Sequence, residues 1–65
     1  MCQMSVLIVD DGVENLIMEN VTHLQVSGDT IEVSAFFEEP RKIDAVSVQA
    51  IDFLGGKVLL ARKPG

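Results

Sequence analysis

The chain has 65 residues, 48% of them hydrophobic, a single cysteine and a formal net charge of -5. That length allows one domain, residues 1–65, and one cysteine rules out an internal disulfide, so oligomerisation or a metal is expected to supplement a small core. An acidic surface gives phosphates no general attraction, and the absence of a basic leader or of a run near the ~20 apolar residues that cross a bilayer leaves a cytoplasmic address as the expectation.

Along the chain, turn signals recur about every ten residues, the rhythm of a small sandwich or barrel. Ser5–Val9 is apolar on both faces, as a central strand would be, and Asp10-Asp11-Gly12 closes it with a favoured hairpin pair. Val13–Val21 carries two patterns: Val13, Ile17 and Val21 share a helical face, whereas Leu16 and Met18 alternate with polar neighbours. The short turn before the segment favours a strand paired antiparallel with the first. From Val21 to Ala35 the period is two. Thr22, Leu24 and Val26 face one way and His23 and Gln25 the other, Ser27-Gly28-Asp29 turns the chain, and Ile31, Val33 and Ala35 alternate on the return.

Phe36–Lys42 breaks the alternation, and Pro40 lacks a ladder donor, so a loop or an edge is expected there. Between Ile43 and Phe53 the apolar phase shifts at Ala45-Val46 and again at Ala50-Ile51, which predicts bulges or a sharp bend. Leu54-Gly55-Gly56-Lys57 reads as the last tight turn, Val58–Ala61 as the last strand and Arg62–Gly65 as a frayed tail. The predicted fold is all-β, a small antiparallel barrel or sandwich of about six short strands.

Three stretches together form a family pattern: the opening Met1-Cys2; Ala35-Phe36-Phe37-Glu38-Glu39 followed by Arg41-Lys42 and Ile43; and Ile51-Asp52-Phe53-Leu54-Gly55-Gly56-Lys57-Val58-Leu59-Leu60. In these the chain resembles the CooT-type small nickel-binding proteins, a family also catalogued as predicted RNA-binding proteins. The resemblance implies a β-rich homodimer that binds Ni(2+) through Cys2 in carbon monoxide dehydrogenase maturation, hence a metallochaperone and not an enzyme. Its implied partners are a second copy and the nickel-enzyme maturation machinery, with nucleic acid disfavoured and no membrane. Cys2 and the adjoining Gln3 are the candidate metal-site residues.

The chemistry of Cys2 suits that expectation. A thiolate beside a chain-terminal amine or a deprotonated main-chain amide completes five-membered chelate rings, and sulfur plus nitrogen donors in square-planar geometry favour Ni(II) or Cu(II). One chain supplies too few ligands for a closed site. Two copies of Cys2 meeting at a two-fold axis would supply enough, which predicts one metal per dimer.

His23, the only histidine, is a second-rank ligand candidate on an outward strand face. The pairs Asp10-Asp11 and Glu38-Glu39 lack the six to eight oxygens of a calcium site and read as turn and solvent-face residues. No spacing gives Cys2 a catalytic base, and the glycines form no phosphate loop. The alternative reading, an RNA-binding β-barrel module, rests on Phe36 and Phe37 as stacking platforms beside Arg41 and Lys42.

Overall fold

The computed structural model describes residues 4–63. Six strands, β1 (Met4–Asp10), β2 (Val13–Ser27), β3 (Thr30–Ala35), β4 (Glu38–Asp44), β5 (Val46–Asp52) and β6 (Lys57–Arg62), form one sheet in the order β4-β3-β2-β1-β6-β5, without a helix among the described residues. There is accordingly no helix long and apolar enough to cross a membrane. The sheet is open, with β4 and β5 as its two edges, and every neighbouring pair is antiparallel except β1 with β6, which run parallel.

Local chemistry explains the two hairpins that the sequence predicts. Asp11 and Gly12 both adopt positive φ (55° and 78°), the backbone of a two-residue turn whose twist matches the flanking strands, and Asp10 pairs with Val13 across it. Substituting Gly12→Ala leaves the new methyl in open space yet holds it in the left-handed region. The expected cost is about 1–2 kcal/mol, read as a lower urea midpoint at unchanged slope; an unchanged midpoint would mean that the turn is not formed in solution. At the second hairpin Gly28 (φ 60°) occupies the first central position and Ser27 pairs with Thr30.

Val13–Val21 is a strand, and it continues through Val21 without interruption into the next one. A single 15-residue strand serves two partners because it bends. Asn20 takes a positive φ of 56°, a conformation asparagine tolerates. Thr22 is left out of the ladder between the Val21–Ala35 and His23–Ser34 pairs. Such a bulge bends its strand, so the first half of β2 pairs with β1 and the second half with β3. The bulge also takes Thr22, which is exposed, out of the alternation expected over residues 22–26; Leu24 is half-buried, and Val26, in the same phase but next to the turn, is exposed.

The two phase shifts between Ile43 and Phe53 have different causes. At the first, Ala45 adopts φ 60° and is the one residue separating β4 on one edge from β5 on the other. The second is a bulge between Val48 and Ala50 against β6. Because one residue joins the two edges, the sheet must curl until they meet there. Val46 N–H donates to the Asp29 carbonyl (3.3 Å) and Lys63 N–H to that of Ala45 (2.9 Å). Arg41 on β4 adds a strap, its Nη1 donating to the Ile17 carbonyl (2.9 Å), at a bulge in β2 where the register against β1 shifts.

The residues Phe36–Lys42 divide into a turn at Phe36-Phe37 and an edge strand beginning at Glu38. Pro40 sits on the sheet's outer edge, where a missing donor costs no ladder bond. The expected fraying of the tail is corrected at Arg62 and Lys63. Arg62 closes β6 and pairs through Nε with Asp10 (3.1 Å), and Lys63 bonds Asp29 through its side chain.

The concave side holds the core: Val6 and Ile8 of β1, Met18 of β2, Ile31 and Val33 of β3, Val46 of β5, and Val58 and Leu60 of β6. No polar or charged side chain is buried among the described residues.

Candidate metal centre

Cys2 and Gln3, the expected metal-site residues, lie outside the described residues. The first described residue is Met4, which opens β1 and pairs with Val21 at the bend of β2. Met4 is half-buried in a cleft of about 230 Å³ that opens between this bend and β5, lined also by Val21, His23, Leu24, Ile51 and Phe53. The β2 bulge shapes one wall and the β5 edge the other. Among the described residues of the lining there is no Asp, Glu, Lys or Arg, and His23 is the one histidine.

His23 is exposed, as its strand position predicts, and it stands on the wall of the cleft that holds Met4. The sequence places it on an outer face; only the bend of β2 brings it beside the start of β1. Among the described residues no three His, Cys, Asp or Glu side chains gather closely enough to hold a metal. The paired carboxylates behave as turn and surface groups. Asp10 accepts from Arg62, Asp11 forms the first turn, and Glu38 and Glu39 are exposed on the β4 edge.

The residues of the RNA-binding alternative are apart in character. Phe36 and Phe37 are exposed at the β3–β4 turn, their ring centroids 6.4 Å apart and tilted by 55°. Arg41, however, is engaged by the Ile17 carbonyl, and Lys42 lies on a polar groove with Glu32 and Asp44. A basic groove following a nucleic-acid backbone does not form from these residues.

Sequence reasoning missed the apolar cleft. Its signal was present in the phase shifts of residues 43–53, which leave Val48, Ile51 and Phe53 exposed on one side of the sheet edge.

Comparison with known proteins bears on this arrangement. A family model described as CooT, a CO dehydrogenase accessory protein, matches residues 1–61. A crystal structure from Carboxydothermus hydrogenoformans, described as that of a CooT, superimposes with a TM-score of 0.83 at 22% identity. That match covers 97% of this chain and 100% of the other, and at such identity it is a likeness of fold. No curated protein matches.

Proposed function

Because the chain belongs to the CooT family of CO dehydrogenase accessory proteins, we propose that it carries or stores nickel for the maturation of that enzyme. Nickel is here a cargo, bound through the Cys2 thiolate with neighbouring main-chain nitrogen up to Gln3, one ion being shared by two copies of the chain. The protein acts in the cytosol as an accessory and not as a catalyst. The observation that carries this reading is the span of the family match, which includes Cys2, the only cysteine available as a soft ligand.

Ligand chemistry supports the shared ion. A thiolate and one or two main-chain nitrogens leave a four-coordinate site open, and a second chain closes it with the same donors. Covalent reach adds a constraint: two residues of chain span at most about 7 Å, so Met4 must approach its symmetry mate for two Cys2 sulfurs to meet.

Native mass spectrometry during nickel titration tests the proposal. One ion per two chains is expected, with uptake weakening as pH falls below neutral. The sign follows from the thiol, whose reference pKa is about 8.5: binding displaces its proton, so acid competes by about tenfold per pH unit for each proton displaced. One ion on each separate chain, or uptake indifferent to pH, would refute the shared-thiolate site.

A further inference from the structure

The apolar cleft between the β2 bend and β5 has the start of β1 in its wall. Met4 and Val6 line it together with Leu24, Val48, Ile51 and Phe53. At about 230 Å³ it is larger than the roughly 150 Å³ engineered apolar cavity that takes up benzene, so it has room for a side chain. The strand beside it is held on both sides: Met4 pairs with Val21, and Ser5 N–H donates to the Gly56 carbonyl (2.8 Å). The chain before Met4 therefore departs from a fixed point on the cleft wall. We propose that in the absence of metal the segment Met1–Gln3 lies along this cleft with the Cys2 side chain seated in it, so that the cleft competes with nickel for the same thiol. The proposal rests on the reading that Cys2 is the nickel ligand, and it gives that site a built-in regulation.

Chain length selects the occupant. Two residues span at most about 7 Å, so Cys2 stays beside the cleft whatever precedes it. A group tethered this closely acts at a roughly millimolar effective concentration, which an untethered molecule must match to displace it. Alternation favours the inward side. Residues two apart in a strand share a face, and Val6 and Ile8 are buried in the core while Met4 lines the cleft with Val6. Carried back two more positions, that phase turns Cys2 to the cleft and leaves the polar Gln3, like Ser5, on the other face.

The chemistry of the wall agrees. An uncharged cysteine behaves as a small apolar side chain and is among those most often buried. The described lining has no Lys or Arg to stabilise a thiolate, and apolar surroundings favour the protonated thiol. A seated Cys2 is thus shielded from reagents and must leave the cleft before it gives up its proton to a metal. If the seat is filled nine-tenths of the time, only the remaining fraction is competent, and both thiol reactivity and apparent nickel affinity fall about tenfold.

Alkylation of the metal-free full chain by iodoacetamide, followed by mass spectrometry over a range of protein concentrations, tests the seat. Parallel nickel titrations test its competition with the metal. Val48→Phe fills the cleft and Ile51→Ser makes its wall polar; both positions are partly open to solvent, and an unchanged urea midpoint verifies folding. The parent is expected to react about tenfold more slowly than the same chain unfolded in urea, at every concentration. Each variant is expected to react faster than the parent by up to that factor and to bind nickel more tightly by the same factor.

A parent thiol as reactive as that of the unfolded chain would overturn the seat, and so would two folded variants that stay as protected as the parent. Protection that disappears on dilution would also overturn it, because a second copy and not the chain's own segment would then cover the thiol. Faster alkylation of both variants in a protein that takes up no nickel would support the seat and refute the nickel reading instead.

Discussion

Nickel added to a Cys2→Ser variant is expected to give no sulfur-to-metal charge-transfer absorption and to bind far more weakly than to the parent. The reason is the donor atom. A serine hydroxyl stays protonated where the thiol can ionise, and its oxygen is a harder ligand than the sulfur of the proposed site. Loss of an outer-shell partner of a metal ligand already costs roughly 10–100-fold in affinity, so loss of the ligand itself should exceed that range. The fold should be unaffected, because the buried side chains of the described residues, from Val6 to Leu60, pack on one another as a continuous cluster. The decisive comparison is therefore a pair of titrations at equal urea stability. Equal nickel affinity in the two proteins would remove Cys2 from the site and with it the proposed role.

The second large effect concerns the core. Leu60→Ala is expected to cost about 2–5 kcal/mol, the range for removing a fully buried leucine side chain. Leu60 is completely inaccessible and packs in a cluster of eight buried apolar side chains among the described residues. Domains of this size have roughly 0.05–0.15 kcal/mol of stability per residue, about 3–10 kcal/mol in total. One substitution thus threatens the folded state, and a variant without a cooperative urea transition is an expected outcome. Leu54→Ala provides the contrast. The same atoms are removed from a side chain that is fully exposed at the β5–β6 turn, so the midpoint should hold to within about 0.5 kcal/mol. If the two leucines proved equally costly, the burial pattern that defines the concave core would be wrong.

These leucines also show where a linear reading stops. Leu54 and Leu60 sit in apolar stretches of the same segment, and the glycines at 55 and 56 mark a turn, yet nothing local says that one side chain is sealed and the other open. That difference arises because β6 is inserted between β1 and the edge strand β5. The parallel β1–β6 pairing behind it depends on where the chain returns after β5, which no alternation pattern encodes.

Much of the strand layout was legible because its determinants are local. Asp-Gly and Gly-Asp turns set two hairpins, period-two alternation marked the residues up to Ala35, and Pro40 pointed to an edge. The phase shift at Ala45 was visible too. Its consequence was not: a single left-handed residue carries the chain from one edge of the sheet to the other and forces the curl.

For the candidate site the division is similar. Cys2 could be named as a candidate ligand from the sequence, since a thiol's ligand chemistry is a property of the residue and its neighbours in the chain. The nearness of His23 to Met4, and the uncharged cleft around them, came only from tertiary structure. A bulge at Thr22, set by the Val21–Ala35 and His23–Ser34 pairs, bends β2, and the edge strand β5 supplies the facing wall from a distant part of the chain.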